Sequence, residues 1–237
     1  WSAICSVLYL AFNTQADILF IVCKLAKACL APGPKKDYEA LLWLLSYIQN
    51  RPAYGVKFYA NECESTVFEI CKRHNVPYSH VLVFSDASWQ DCPDTGRSTV
   101  GYFIFCQGGL VEANSSVPVP VAMSSAESEY MGACAAAMAA AHIRMLVYDY
   151  MHLGTSTYSR SDQRLRDPPT ILMVDNQAAV KMSVNDQLTR KSRHIERRYH
   201  YVKEGTATGM HALRWIPSDD QLADITTKMQ PAEKIDP

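Results

Sequence analysis

The apolar positions of the chain follow two regimes, and the change comes near residue 80. Before it the spacing is helical. In "ADILFIVCKLAKACLA" Ile18, Ile21, Val22, Leu25 and Cys29 share one stripe, Lys24 and Lys27 face away, and Asp17 stands where a cap belongs. After the breaker "APGP", a second stripe of Tyr38, Leu41, Leu42, Leu45 and Ile48 runs until Pro52, which cannot continue a helix. "YGVKFYA" then alternates as a short strand does. Residues 1–76 therefore read as a small, mainly helical segment, which would bury a limited fraction of its surface alone and is expected to lean on another unit.

From residue 78 to 237 the pattern is of strands punctuated by turn residues. "VLVF" at 81–84 predicts a buried strand ending in Ser85 and Asp86, "DCPDTGRS" a loop, and "TVGYFIFCQGGLVEANSS" a hairpin about Gly108 and Gly109. A long helix is predicted from 125 to about 152, followed by a polar surface loop. "TILMV" predicts a second continuously apolar strand, which ends in Asp175 and runs into a helix, "NQAAVKMSV". A basic helix-like segment, the strand "MHALRWI" and a final helix from Ser218 complete a mixed α/β domain.

Composition adds little pull in any direction. With 48% hydrophobic and 20% charged residues and a net charge of -1, the chain is ordinary for a soluble globular protein, and any preference for nucleic acid must be local. Eight cysteines without a single C-x-x-C suggest reduced core thiols rather than a zinc site or a disulfide framework. No secretory signal opens the chain, and the apolar stretch from Ala16 carries two lysines and is too short for a bilayer of about 30 Å. An intracellular protein, cytoplasmic or nuclear, with no membrane partner, or a fragment of a longer one, is the expectation.

Candidate chemistry lies in the acids. Asp86 and Asp175 both end apolar strands, where α/β sheets usually bind ligands; each alone also reads as a turn residue or a helix cap. In "SSAESEY" the spacing Ser124-x-x-Glu127 makes a capping box, which assigns Glu127 to the helix start. Glu129, two positions on and roughly 200° round the helix, is left to face the crevice. Ser218-x-x-Gln221 repeats the box near the C-terminus, with Asp224 one turn inside and Asp219 and Asp220 complementing the helix dipole. From Arg190 to Lys203 six basic residues stand against one acid, Glu196, with Tyr199, Tyr201, His194 and His200 interleaved; such a run suits either a solvated face or phosphate contact. His142 and the methionines of the long helix are expected in the core.

The blocks "VFSDASW", "GRSTVGYFIF", "SSAESEYMGA", "VDNQAAV", "RKSRHIERRYHYVKE" and "DQLADITTK" resemble, in order, the ribonuclease H domain of copia-type retrotransposon Pol polyproteins. "SVLYLA", "TQADILFIV" and "DYEALLWLLSYIQNRPAYGVKFY" resemble the end of that family's reverse-transcriptase region, so the likeness covers nearly the whole chain. The resemblance implies a mixed five-stranded ribonuclease H-like sheet with flanking helices, and hydrolysis of the RNA strand of RNA–DNA hybrids. It implies that Asp86, Glu129, Asp175 and Asp224 hold two Mg²⁺ ions, with Mn²⁺ as a substitute. It also implies substrate contacts by Ser98, Thr99 and Asn176 and by Arg190, Lys191, Arg193, His194, Arg197 and Arg198, with the upstream polymerase region of the same polyprotein as a partner. The family's Y-x-D-D-type polymerase motif would precede Trp1, so no polymerase activity is expected of this chain, and "TQAD" replaces the family's usual Thr-Arg-Pro-Asp. "WIPSDDQLAD" lacks the histidine that cellular ribonucleases H place before the last acid. Two other classes fit the same blocks: a non-catalytic nucleic-acid-binding or assembly module, and a DNA-cutting nuclease of resolvase or integrase type.

Overall fold

In the computed structural model of the protein, which describes residues 1–28, 35–93, 95–151, 168–184 and 196–230, the apolar runs of the sequence form a sheet. Its strands are β1 (Val81–Ser88), β2 (Thr99–Cys106), β3 (Gly109–Ser116), β4 (Thr170–Val174) and β5 (His211–Trp215), paired in the order β3-β2-β1-β4-β5. β1 and β4, and β4 and β5, run parallel, whereas β1–β2 and β2–β3 are antiparallel. This is the mixed five-stranded sheet that the sequence predicts. The β2–β3 turn places Gln107 and Gly108 at φ 49° and 79°, the left-handed pair of a tight two-residue hairpin.

Both faces of β1 are covered, which explains why its sequence does not alternate. Val81 and Val83 face one core and Leu82 and Phe84 another. The first is closed by α5 (Ser125–Met151) through Tyr130, Ala133, Cys134, Ala136, Ala137 and Ala140, helped by Ala179 and Val202. The helix sets its alanines against the sheet and turns its bulk outward. Met131 is buried as expected (3%), whereas Met138 (57%), Met145 (41%) and His142 are exposed, against the expectation of a core position. By length and composition α5 could cross a membrane, but its alanine face lies on β1 and β2.

The opposite face carries α1 (Ser2–Asn13), α2 (Leu19–Ala28), α3 (Lys35–Asn50) and α4 (Thr66–Arg73). α1 and α2 pack with Phe103 and Ala113, and α4 sets Val67, Ile70 and Cys71 against Leu82, Phe84, Ile171 and Met173. Residues 1–76 thus share two cores with the sheet. Lys24 adds an ion pair to Asp91 at 2.9 Å.

Several local expectations are corrected here. Asp17 does not cap a helix: it lies in a 3-10 turn, Ala16–Ile18, and accepts from Tyr47 Oη at 2.8 Å. That bond helps fix the rotation of α3, which turns Leu44 inward with Ala40, Leu41, Tyr47 and Ile48 partly covered. Tyr38, Leu42 and Leu45 of the predicted stripe are left exposed. "YGVKFYA" joins no strand; the Val56 amide donates instead to Thr14 O at 3.0 Å. Among the described residues the cysteines are free, and Cys5 and Cys63 are exposed rather than core thiols.

The predicted final helix is two 3-10 turns, Ser218–Asp220 and Leu222–Thr226. Gln221 breaks it: extended at ψ 96°, it donates from Nε2 to Ser85 O at 3.1 Å and Met173 O at 3.4 Å, while its Oε1 accepts from the Ala223 amide. Ser218 makes no capping box, because its hydroxyl donates to Asp175. Asp220 does not serve a helix dipole: it holds Arg73 at 2.5 Å and His74 at 2.6 Å at the end of α4, partners that pull its carboxyl below the usual range.

Gly101 makes room for this segment, because a Cβ there would run into the Thr226 side chain. Gly101→Val is expected to cost about 1–3 kcal/mol, the usual range for overpacking, and to lower the melting temperature. An unchanged melting temperature would mean that the segment yields.

Candidate functional site

Extending the β1–β4 register by two residues sets Asp86 beside Asp175, since Phe84 pairs with Met173. The two acids therefore come from adjacent parallel strands. Asp86 lies within β1, not beyond its end as the apolar run suggests, and is 2% exposed. Asp175 is not the cap of the helix that follows. Asn176 is: its Oδ1 accepts from the amides of Ala178 at 2.9 Å and Ala179 at 3.3 Å, at the start of α6 (Gln177–Val184). Asp175 is thereby released toward Asp86, and the Ser218 hydroxyl donates to its Oδ2 at 2.7 Å.

α5 contributes the third acid, and its start separates the two glutamates as the capping pattern predicts. Ser124 Oγ accepts from the Glu127 amide at 3.2 Å, and Glu127 Oε2 accepts from the Met123 amide at 2.9 Å, one residue before the cap amide expected. Glu129 points elsewhere. Gly132 lets the helix approach β1, where a Cβ would come within 3.3 Å of Asp86 O. Asp86, Glu129 and Asp175 each offer a ligand oxygen within 4.8 Å of the others.

Burial and mutual repulsion make this an electrically costly group. Burial first, then Asp86 and Asp175, push Glu129 up to about 9, only partly offset by the Ala87 amide and Lys228. Burial raises Asp86 to about 6, against the Thr227 hydroxyl that donates to it. Glu129 Oε2 is buried without a hydrogen-bond partner among the described residues. A buried acceptor left orphaned beside two other carboxylates fits a hard divalent cation, which binds such oxygens.

Asp224 comes from the Leu222–Thr226 turn and is 5% exposed. It adjoins the cluster, and its charge raises Asp86. Its oxygens are engaged otherwise: Oδ1 pairs with Lys228 Nζ at 2.7 Å, and Oδ2 accepts from Gln230 Nε2 at 3.1 Å.

The remaining candidates stand apart. Ser98 and Thr99 are buried, and their side chains support the loop after β1: Ser98 Oγ accepts from the Gln90 amide, and Thr99 Oγ1 donates to Asp91 at 2.8 Å. Asn176 spends its side-chain oxygen on the cap. Arg190, Lys191, Arg193 and His194 lie outside the described residues, and Arg197 and Arg198 fall in α7 (Glu196–Ala207) with their side chains outside the description. Sequence reasoning missed Lys228 and Thr227, put Gln221 in a capping box rather than on the strands, and gave Asn176 to the substrate rather than to the helix start. The i,i+4 spacing of Asp224 and Lys228 was the available signal for the first of these.

No family model matches the chain. It is 24% identical over 235 residues, 99% of its length, to the retrovirus-related Pol polyprotein from transposon TNT 1-94 of Nicotiana tabacum. It is 26% identical over 223 residues to the corresponding protein from transposon RE1 of Arabidopsis thaliana. The chain spans only 15% and 13% of those two proteins. It is also 30% identical over 130 residues to secreted RxLR effector protein 161 of Plasmopara viticola, covering 55% of this chain and 80% of that protein. Among solved structures it is similar to the N-terminal RNase H domain of a Mycobacterium tuberculosis protein, at 13% identity and TM-score 0.41 over 63% of this chain and 91% of that one. RNase H1 from Halobacterium salinarum is similar at 18% identity and TM-score 0.41, over 61% and 91%. Over nearly its whole length the chain is thus similar to retrovirus-related Pol polyproteins of plant transposons, of which it corresponds to a short stretch.

Proposed function

We propose that the chain is the nuclease part of a retrotransposon's reverse-transcription machinery, hydrolysing the RNA strand of RNA–DNA hybrids at the Asp86, Glu129 and Asp175 cluster. The observation that carries this reading is the convergence of three carboxylates within 4.8 Å, one with a buried, unpartnered oxygen. Structural acids at turns and caps are normally satisfied; these are held together against their own repulsion. Asp86, Glu129 and Asp175, joined by Asp224, would hold two Mg²⁺ ions, or Mn²⁺ in their place. Bound there, such ions supply an activated water and stabilise the departing 3′ oxygen. Ser218 orients Asp175, Thr227 orients Asp86, and Gln221 fixes the segment that carries Asp224 onto β1 and β4. Each therefore acts on the aim of an acid rather than on the substrate.

The basic run from Arg190 to Lys203 would track hybrid phosphates, giving salt-dependent binding with little sequence readout. The upstream polymerase region of a Pol polyprotein would be the natural neighbour of α1–α3. The test is cleavage of a labelled RNA–DNA hybrid in Mg²⁺. Asp86→Asn is expected to lower the rate by more than the roughly 10–100-fold typical of losing an outer partner of a metal ligand. An unchanged rate would remove the assigned site, and hybrid binding without cleavage in Mg²⁺ or Mn²⁺ would favour a non-catalytic module.

A further inference from the structure

We propose that Lys228 is a resident counter-cation of the acid cluster, which keeps Asp224 occupied so that a second divalent ion binds only when the ammonium leaves. The inference rests on the reading of the cluster as a metal site. Asp86, Glu129 and Asp175 form the group of mutually close ligand oxygens, and Asp224 is not one of them. Its Oδ1 carries the Lys228 ammonium at 2.7 Å and its Oδ2 the Gln230 amide at 3.1 Å. The Lys228 contact is an ion pair in which Oδ1 accepts no hydrogen bond among the described residues, whereas Oδ2 is donated to by Gln230, so a hard cation competes with a positive charge at the one oxygen and with an amide at the other.

The two members of the pair differ in their access to water. The Asp224 side chain is 7% exposed and the Lys228 side chain 47%. The carboxylate stays in place, whereas the ammonium can swing into solvent on its flexible stem, at the modest cost of breaking a half-exposed ion pair. Lys228 also feels the charges of Asp86 and Asp175, so it neutralises the whole group rather than one residue. Cation loading is then sequential. The first ion takes the three-carboxylate group, and the second competes with a built-in positive charge.

Mn²⁺ titration without nucleic acid tests this, with free Mn²⁺ followed by electron paramagnetic resonance and heat by calorimetry. Wild-type protein is expected to bind one ion more tightly than the second. Lys228→Gln is expected to tighten the second about tenfold, the lower end of what outer partners of a metal ligand do, with the first unchanged. Lys228→Arg, which keeps the charge, should behave as wild type, and Gln230→Ala, which frees the other oxygen, should also tighten the second ion. A melting curve on each variant establishes that it is folded. If Asp86→Asn abolishes binding but Lys228→Gln binds as wild type or more weakly, the counter-cation role is overturned and the metal site stands. If wild type binds no Mn²⁺, or Asp86→Asn binds as wild type, the metal reading fails and the role of Lys228 fails with it.

Discussion

Glu129→Gln is expected to abolish hybrid cleavage and, near pH 9 where Glu129 is ionised, to raise the melting temperature in EDTA, whereas Glu127→Gln is expected to leave cleavage intact and lower stability by about 1 kcal/mol, the usual worth of a capping interaction. The two substitutions are chemically identical and two residues apart. Their opposite outcomes follow from what each carboxylate touches. Glu127 accepts from the Met123 amide, so its loss weakens the start of α5. Among the described residues one Glu129 oxygen is buried with no hydrogen-bond partner and has two acids for neighbours, so an amide in its place would relieve repulsion and remove the proposed cation ligand. Cleavage assays and melting curves on the two variants decide it; loss of activity in Glu127→Gln with Glu129→Gln still active would reverse the assignment.

Stability without divalent ions is expected to fall as pH rises from about 4 to about 9, and the stabilisation given by Mg²⁺ to grow over the same window. Glu129 is raised from an ordinary 4.5 to about 9 and Asp86 from 3.8 to about 6. A carboxyl whose folded pKa is raised holds a proton that the unfolded chain has released. Its contribution to stability is therefore complete below the unfolded value and is lost as pH climbs through the folded one. For Asp86 that loss spans about pH 4 to 6, and for Glu129 it continues to about 9. Partial burial also raises Asp17, which adds to the slope, and burial lowers His211, which opposes it. Neither belongs to the cluster, so comparing melting temperatures with and without Mg²⁺ at each pH removes both. An equal Mg²⁺ increment at pH 5.5 and 8.5 would sink the prediction.

Much of the sheet was legible because its strands are long apolar runs with clear turn chemistry at their ends, as in "TILMV" and in the hairpin at Gln107 and Gly108. The acids at strand ends and the division between Glu127 and Glu129 were legible for a similar reason: strand direction and helix period fix which way a side chain points. What was not legible depends on contacts distant in sequence. Nothing near Ser218 signals that its hydroxyl goes to Asp175, and nothing near Gln221 signals that its amide goes to Ser85 and Met173; those bonds turn an expected helix into two 3-10 turns. α3 carries two competing apolar stripes, and the Tyr47–Asp17 bond favours the one the spacing did not select.

The four acids arrive from β1, α5, the end of β4 and the last 3-10 turn, each far from the next along the chain. An unfolded chain therefore holds them apart, and closing the intervening loops must precede their meeting. Their repulsion is therefore expected to enter late in folding, after most of the sheet has paired. A cation that relieves it should then act mainly on the unfolding limb of a chevron plot, slowing escape from the native state while leaving the folding rate almost unchanged. The cluster would work as a latch rather than a nucleus.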